Sequence, residues 1–304
     1  MHNPFTIPDR GGSDGRPLCP WETSEHEHFY APVDHTQQAF SEFDNHFSQN
    51  HDFSKVGRVV LITGPGGSGK TSLLHRCAWT AQRFLASQPQ PQPVVVIDLT
   101  SDGLIGSDTS ARSRHICSRL HDELKFHRLF DKPDSDELEK KAEDPPKFYP
   151  YLSRLLKDKD RVLIILLPPS EVADEVHSYN SYSHGMIVFY CESSYAEVCG
   201  IDTAPAGMKP IFHVELGVLE EADGWTFVQH RLDRARATGK SFPDIEEGVI
   251  REFMQARIRG RGKTTVRELQ MTCENVFEAA VSSSLTRVTY ANFTQYYTER
   301  GSLS

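Results

Sequence analysis

The stretch from Arg58 to Thr71 reads RVVLITGPGGSGKT and is the most informative segment of this chain. Its opening six residues are mostly apolar and β-branched, which predicts a short strand buried on both faces. Four glycines follow between positions 64 and 69 and predict a tight turn. From Leu73 to Ala81 the apolar residues recur at helical spacing. The unit is therefore strand, glycine-rich loop and helix, the unit from which parallel α/β sheets are built.

The glycine-rich turn has the pattern of a phosphate-binding loop. It matches GxxxxGK[ST] at every fixed position, with Lys70 to reach the β- and γ-phosphates and the Thr71 hydroxyl to hold Mg²⁺. Glycines let successive N–H groups point at phosphate oxygens, and the following helix adds a favourable dipole. The alternative is a glycine-rich turn that binds nothing. We predict nucleotide contacts from Gly64, Pro65, Gly66, Gly67, Ser68, Gly69, Lys70, Thr71 and Ser72.

Length and composition exclude several classes of protein. The chain has 304 residues, enough for about two domains, and a formal net charge of −9, which argues against non-specific nucleic-acid binding. Its six cysteines are scattered, as is typical of a reducing compartment. No apolar run approaches the roughly 18 residues of a membrane span, and the N-terminus does not have the pattern of a secretory signal. We therefore expect a cytoplasmic protein without a membrane partner.

Four further apolar runs predict the remaining strands. They lie at 94–99, 162–167, 186–190 and, more weakly, 211–214. Such continuous apolar runs are typical of parallel strands that helices cover on both faces. Beyond residue 219 only helical patterns follow. We predict an irregular arm over 1–30, a P-loop NTPase domain with a five-stranded parallel sheet sandwiched by helices over 31–215, and a small C-terminal helical lid domain over 216–304.

The order of these segments resembles the ASCE-type P-loop ATPases, which insert a strand between the phosphate loop and the Walker B strand. The C-terminal part is similar to the lid of the AAA+ ATPases, with the replication-initiator group and the related STAND signalling ATPases closest. The matching segments are Leu216–Ala222 at the lid entry, Val266–Glu274 as the sensor-2 helix and Val288–Phe293 as the closing turn. The resemblance implies ATP and Mg²⁺ as ligands and Arg267 as the arginine that contacts the γ-phosphate. An ordinary solvated helix arginine is the alternative.

The sequence departs from that family where the Walker B acids should stand. The third strand runs into Leu167-Pro168-Pro169-Ser170-Glu171, and proline offers neither a charge nor a proton acceptor. Glu171 is too far along the chain to be assumed equivalent. The resemblance places a polar sensor-1 residue after the fourth strand, where Glu192, Ser193 and Ser194 stand. Glu192 is therefore our candidate for the catalytic carboxylate, with a solvated loop acid as the alternative.

Weaker hypotheses concern the arm and two groups of arginines. The side chains of Cys19, His26 and His28 are of the types that bind metal ions, and their spacing could suit a metal site. Aromatic residues that could border the adenine, or simply pack in a core, are Phe5, Phe29 and Tyr30. One of Arg112, Arg114 and Arg119 could act as an arginine finger on a neighbouring subunit, or the three could lie on a solvated helix face. The basic run from Arg257 to Lys263 could hold a phosphate backbone or an acidic partner, or be a solvated loop.

Together these observations predict an ATP-binding AAA+ or STAND-type regulatory switch. Its nucleotide state would control self-assembly into a homo-oligomer or engagement of a partner protein, in a bacterial defence or signalling system. ATP hydrolysis would be slow or conditional and would depend on Glu192. One alternative is a DNA-associated AAA+ ATPase of the initiator or transposition-regulator type, although nucleic acid is not the favoured partner. The other is a non-hydrolysing pseudo-ATPase that serves as an interaction module.

Overall fold

Five parallel strands form the central sheet of the computed structural model, which describes residues 1–8, 16–49, 56–104, 106, 108–204 and 206–301. The strands are β1 (Arg58–Thr63), β2 (Val94–Asp98), β3 (Val162–Leu166), β4 (Ile187–Ser193) and β5 (Phe212–Glu215). Their order across the sheet is β2-β3-β4-β1-β5, and every neighbouring pair is parallel. The predicted parallel sheet is confirmed, with β4 beside β1 and β2 at an edge.

The helices alternate with these strands and then follow them. In the described residues they are α1 (Asp34–Gln49), α2 (Lys70–Ser87), α3 (Thr109–Phe126), α4 (Lys132–Glu139), α5 (Pro145–Asp158), α6 (Ala173–Tyr182), α7 (Ala196–Cys199), α8 (Glu221–Ala237), α9 (Glu247–Arg261), α10 (Val266–Ser282) and α11 (Tyr290–Gly301), with a 3₁₀-helix at Ser24–Phe29. None of the described helices has both the length and the apolar composition that crossing a membrane requires.

One short pair of strands lies among the C-terminal helices, where only helices were predicted. Strands β6 (Asp244–Ile245) and β7 (Arg287–Val288) pair in parallel, so that Asp244 is opposite Arg287 and Ile245 is opposite Val288. Ile245 therefore belongs to a strand, and α9 begins two residues later. A pair of two-residue strands is too short to leave a periodic pattern in the sequence.

By the density of its contacts the chain divides into two compact units, which we name the lid unit and the sheet unit. The lid unit comprises Met1–Phe40, Pro65–Arg76 and Leu216–Ser304. The sheet unit comprises Ser41–Gly64 and Cys77–Glu215. The N-terminal arm and the phosphate loop thus belong to the same unit as the C-terminal helices.

The core of the sheet unit explains why its strands are so apolar. All residues of β3 and β4 are buried, as are the last five of β1. Helix α1 covers one face with Phe43, whose ring lies 5.9 Å from that of Phe212 and 6.2 Å from that of Tyr190. Strands covered in this way lose contact with water on both faces, so every position along them favours an apolar side chain.

The core of the lid unit contains a residue from the far end of the chain. Phe5 is fully buried, and its ring centroid lies 4.9 Å from that of Phe277 in α10. The side-chain amide of Gln270 donates to the main-chain oxygen of Phe5 at 2.7 Å. The arm is therefore packed into the lid unit.

Candidate nucleotide-binding site

The phosphate loop is a compact turn in which two glycines have backbone angles that other residues rarely adopt. Gly67 and Gly69 have φ angles of +82° and +95°. The Ser68 N–H donates to the main-chain oxygen of Pro65 at 3.2 Å, and the Lys70 ammonium group donates to the same oxygen at 2.9 Å. Side chains with a Cβ are strained at such positive φ values, so this sequence of glycines is what lets the chain form the loop.

The loop fits a polyphosphate by its shape and by its unsatisfied polar group. The Ser68 side chain is 4% exposed, and its Oγ has no hydrogen-bond partner in the described structure. A buried hydroxyl without a partner is costly, and a phosphate oxygen would accept its hydrogen. A Cβ placed on Gly66 or Gly69 would meet no atom within 4 Å, so there is open space beside the loop. These residues therefore suit the group that the sequence motif implies.

Helix α10 begins on the phosphate loop. The N–H of Arg267 donates to the main-chain oxygen of Gly67 at 3.0 Å. The side chain of Thr265 caps the helix by accepting from the N–H of Glu268 at 3.3 Å. A Cβ on Gly67 would lie 2.9 Å from Thr265 Oγ1, so the loop and the helix cap are in close contact. The side chain of Arg267 is exposed and has no ion-pair partner among the described residues.

Neighbouring lid helices hold the start of α10 in place. Glu268 forms an ion pair with Arg257 of α9, which neutralises the carboxylate next to Arg267. The Arg257 guanidinium lies 4.6 Å from the ring centroid of Tyr297 in α11. The Tyr297 hydroxyl is 3.0 Å from the hydroxyl of Thr272. Three lid helices are thus tied together one residue away from Arg267.

The N-terminal arm is bonded to the helix that follows the phosphate loop. The main-chain oxygen of Leu18 accepts from His75 Nδ1 at 2.8 Å, and the Leu18 N–H donates to Ser72 Oγ at 3.1 Å. The Trp21 and His75 rings meet edge to face, 4.8 Å apart. Ser72, predicted to contact nucleotide, therefore uses its hydroxyl to hold the arm.

The arm's aromatic residues serve in packing. Phe5 lies in the lid core, and Phe29 is 1% exposed beneath the Arg234 guanidinium, 3.4 Å from its ring centroid. Both rings pack against other protein groups. They therefore belong to the core, which was the alternative to a place beside the adenine. The Tyr30 ring is likewise buried, and its hydroxyl donates to the main-chain oxygen of Leu18 at 3.4 Å.

The arm's histidine and cysteine do not form a metal site. The N–H of Cys19 donates to His26 Nδ1 at 2.9 Å, and His26 Nε2 lies 2.8 Å from the main-chain oxygen of Pro8. Both ring nitrogens of His26 are thus occupied by the main chain. Within the residues that the structure describes, no three His, Cys, Asp or Glu side chains form a group that could hold a metal ion.

In the sheet unit, Glu192 lies at the carboxyl end of β4, in the strand next to β1. Its register partner is Ile62, and that of Ser193 is Thr63, the residue before the loop. The Gly64 N–H donates to the main-chain oxygen of Ser193 at 3.2 Å. Glu192 is 6% exposed, so it is a buried strand residue and not the solvated loop acid that was its alternative.

The segment that replaces the Walker B acids is held by Arg112. This arginine, in the first turn of α3, lies 2.9 Å from a Glu171 oxygen and 3.1 Å from a Glu175 oxygen. It also donates to the main-chain oxygens of Leu104 and Pro169 at 2.7 and 2.8 Å. Arg112 is 5% exposed, so it is neither on a solvated helix face nor free to act as an arginine finger, as had been considered.

The buried carboxylate of this cluster differs from an ordinary surface acid. Burial raises the pKa of Glu175, and the Arg112 guanidinium opposes that rise. Glu171, the first acid after β3, is engaged by the same guanidinium. Neither carboxylate is therefore an available substitute for the missing Walker B acid.

The residues of the basic run at the end of α9 differ in burial and in ion pairing. Arg257 is partly buried and ion-paired, as described above. Arg259, Arg261 and Lys263 are exposed, and no ion pair involves them in the described part of the chain. The helix ends at Arg261 and is capped by Gly262, which has a φ of +73°.

Comparison with known proteins supports the fold through structure and not through sequence. No protein-family model matches the chain, and no curated protein sequence matches it. Aeropyrum pernix ORC2, solved as ADPNP and ADP complexes, is similar with a TM-score of 0.57 and 11% identity over 88% of this chain and 69% of that one. Aeropyrum pernix ORC1 in complex with DNA gives 0.55 and 11%, over 87% of this chain and 65% of the other.

A third structure shows the same likeness over a longer part of the chain. C. elegans PCH-2 gives a TM-score of 0.52 and 15% identity, over 95% of this chain and 73% of that one. The chain spans about two thirds of the length of the two ORC chains. At such low identities the likeness concerns architecture alone. Its sheet order, its phosphate loop and its C-terminal helices give the chain the fold of the AAA+ P-loop ATPases.

Proposed function

We propose that the chain is an ATP-binding AAA+-type regulatory switch. The observation that carries this proposal is the hydrogen bond from Arg267 N–H to the Gly67 carbonyl, which joins the start of α10 to the phosphate loop. Any ligand that reshapes the loop must act on this contact. The state of the nucleotide would therefore be communicated directly to the lid helices.

The chain's own residues have distinct tasks in this proposal. Lys70 would exchange its bond to the Pro65 carbonyl for the β- and γ-phosphates, and the buried Ser68 hydroxyl would donate to a phosphate oxygen. The Thr71 hydroxyl would hold Mg²⁺, and the exposed Arg267 guanidinium would contact the γ-phosphate. When bound, ATP with Mg²⁺ supplies the phosphoanhydride bond whose presence or absence distinguishes the two states of the switch.

Hydrolysis in this proposal is slow or conditional. Glu192 is the candidate carboxylate because it is buried at the end of the strand that pairs with β1. The position usually occupied by the Walker B acids is filled by prolines, and the nearby acids are engaged by Arg112. A single carboxylate must then do what two acids do elsewhere, which favours a low turnover rate.

The output of the switch would be assembly with other chains. We propose that ATP promotes self-association or the binding of a partner protein, in a bacterial defence or signalling system. The proposal of a homo-oligomer or protein partner rests on the contact between α10 and the phosphate loop, through which a bound nucleotide would act on the lid helices.

Nucleotide binding is tested by titration with fluorescent ATP. Lys70→Met should weaken binding by about 10–100-fold, since it removes the one charged contact of the loop. Lys125→Met, a change of the same chemistry on the exposed end of α3, serves as the control and should bind as the native protein does. Equal affinity in all three proteins would contradict the proposal.

Turnover is tested by comparing native protein with Glu192→Gln over a range of protein concentrations. Activity that rises with concentration and is lost in Glu192→Gln would support an assembling ATPase. Asp98→Asn, which alters a carboxylate at the end of the edge strand β2, should keep the native rate. If the native protein binds ATP tightly but never cleaves it, the hydrolytic part of the proposal is wrong.

A DNA-associated ATPase is the second candidate. It is favoured by the exposed cations Arg259, Arg261 and Lys263 and by the DNA complex of the similar Aeropyrum pernix ORC1. Duplex binding through phosphates would fall steeply as salt rises, and replacing all three cations by glutamine should lower the logarithmic salt slope by about three. No binding to duplex DNA at low salt would exclude this candidate.

A non-hydrolysing interaction module is the third candidate. It is favoured by Pro168 and Pro169 in place of acids. Such a module would keep its nucleotide as a structural ligand. Intact ATP released from the purified protein by denaturation, together with no turnover at any protein concentration, would support it.

A further inference from the structure

Two loops and the end of one strand, at the carboxyl edge of the sheet unit, form three segments that a continuous set of hydrogen bonds joins. The first is the connection from β2 to α3, the second follows β3, and the third is the end of β4. Arg112 joins the first two, because it donates to the main-chain oxygens of both Leu104 and Pro169. The first two loops also touch directly, since a Cβ on Gly103 would lie 3.0 Å from Pro168 Cβ.

The loop after β3 is in turn joined to the residue that we propose as the catalytic carboxylate. The Ser170 N–H donates to the main-chain oxygen of Glu192 at 2.8 Å. The Ser193 hydroxyl donates to the main-chain oxygen of Ser170 at 2.6 Å. The main-chain oxygen of Ser193 accepts from the Gly64 N–H at 3.2 Å. The path from Arg112 therefore passes through Ser170 to Glu192 and ends at the first residue of the phosphate loop.

The position of the loop after β3 depends on Arg112 in particular. Pro168 and Pro169 have no N–H groups, so this loop cannot donate main-chain hydrogen bonds at those two positions. The guanidinium compensates by reaching the Pro169 carbonyl and the carboxylates of Glu171 and Glu175. A planar group with five donors suits such a divergent set of acceptors, whereas a lysine ammonium does not.

We propose that Arg112 is a positioning residue for Glu192. It fixes the loop that replaces the Walker B segment, and that loop in turn holds the main-chain oxygen of Glu192 and the hydroxyl of Ser193. The inference rests on the proposed function, since it concerns hydrolysis by the same site. It assigns a role to a buried ionic cluster that lies outside the phosphate loop.

The test compares turnover, nucleotide affinity and stability in two Arg112 variants. Arg112→Lys keeps the charge but not the fork of donors. The pair Arg112→Met with Glu175→Gln removes the buried charges together, which avoids leaving an unpaired carboxylate in an apolar interior. We expect kcat to fall by about 10–100-fold in the paired variant and less in Arg112→Lys, with nucleotide affinity changed less than about threefold.

Arg234→Met is the matched control. It removes a partly buried, ion-paired arginine of α8, in the lid unit, whose partner is Glu25. Its kcat should remain native. If Arg112 served stability alone, its variants would lose melting temperature, nucleotide affinity and kcat together. The control variant would then show the same relation between its losses of stability and of kcat. That outcome would overturn the proposal.

A second comparison asks whether Arg112 acts through Glu192. In the Glu192→Asp background, which keeps a displaced carboxylate and a measurable rate, the paired Arg112 variant should cause a much smaller further loss of kcat than it does in the native background. Additive losses would mean that Arg112 acts elsewhere and would overturn the proposal. In addition, amide hydrogen exchange in peptides that contain Ser170 and Glu192 should quicken in Arg112→Lys, while peptides of α10 stay unchanged.

The outcomes separate this inference from the proposed function. Native turnover with an unchanged kcat in both Arg112 variants would overturn the positioning role alone. Absence of turnover in the native protein would overturn the hydrolytic function and the positioning role with it. Native turnover, a kcat loss confined to the Arg112 variants and quicker exchange at Ser170 would support both.

Discussion

At the scale of single residues, the glycines of the phosphate loop differ in how strongly the structure opposes a larger residue in their place. Gly66 and Gly69 face open space, whereas Gly67 combines a φ of +82° with a close neighbour in the cap of α10. The sequence motif fixes neither Gly66 nor Gly67, because both fall at its variable positions. The requirement for glycine at 67 comes instead from the contact with Thr265 and Arg267, which only the folded lid unit creates.

Replacing Gly67 by alanine should therefore harm both the loop and the lid. We expect the unfolding free energy to fall by about 1–3 kcal/mol, because the new Cβ is strained by its backbone and lies too close to Thr265 Oγ1. Gly248→Ala, in the first turn of α9 where a Cβ meets no atom within 4 Å, should be neutral or slightly stabilising. Urea unfolding measures the difference, and equal effects at the two sites would refute the explanation.

His230 makes stability depend on pH. Burial, followed by the charges of Arg231 and Arg234, lowers the pKa of His230 from 6.5 to about 4. Between these values the unfolded chain binds more protons, so the stabilisation is complete above pH 6.5 and is lost as the pH falls towards 4. Because the ring is only partly buried, we expect a loss of about 1–2 kcal/mol.

The pH effect is measured as the unfolding free energy at several pH values. His230→Gln should lose this part of the slope between pH 6.5 and 4, while His28→Gln, at an exposed position, should keep the native slope. A His230→Gln profile that parallels the native one would show that another group carries the dependence.

At the scale of elements, the N-terminal arm is a structural part of the lid unit. Leu18 is bonded to two residues of α2, and Phe5 fills the core beside α10. Its irregular sequence, rich in proline and glycine, predicts no secondary structure, yet its buried aromatic residues are what anchor it. An element without periodicity can be held by a few large apolar side chains, because burial stabilises irrespective of secondary structure.

Phe5→Ala tests how much the arm contributes to the lid unit. Removing a fully buried phenylalanine should cost about 3–5 kcal/mol through lost transfer energy and the cavity left behind. Phe126→Ala, at the end of α3 where the ring is 79% exposed, should change stability by less than about 0.5 kcal/mol. Thermal or urea unfolding gives both values, and a small effect at Phe5 would show that the lid forms without the arm.

At the scale of the whole molecule, the proposed switch must show a change in assembly. Light scattering should report a larger molar mass with ATP than with ADP, and Lys70→Met should remain at the lower mass with either. The physical reason is that only ATP offers a γ-phosphate for Arg267 at the start of α10. A mass that is the same with both nucleotides would separate nucleotide binding from assembly and would remove the switch from the proposal.

Sequence patterns alone determined the five parallel strands, the phosphate loop and the mainly helical character of the chain beyond residue 219. These features are encoded by local periodicity and by a motif of eight consecutive residues, which a single stretch of sequence contains. The order of the strands could be inferred only through resemblance to a family.

The tertiary structure decided what depends on residues far apart in the chain. Arg112 resembled a solvated helix arginine in sequence, and only the sheet order brings it to Glu175, 63 positions away. The same holds for Phe5 in the lid core, whose main-chain oxygen is bonded to Gln270, 265 positions away. Periodicity reports which face of an element is buried, whereas the partner that covers that face is chosen by the packing of the whole chain.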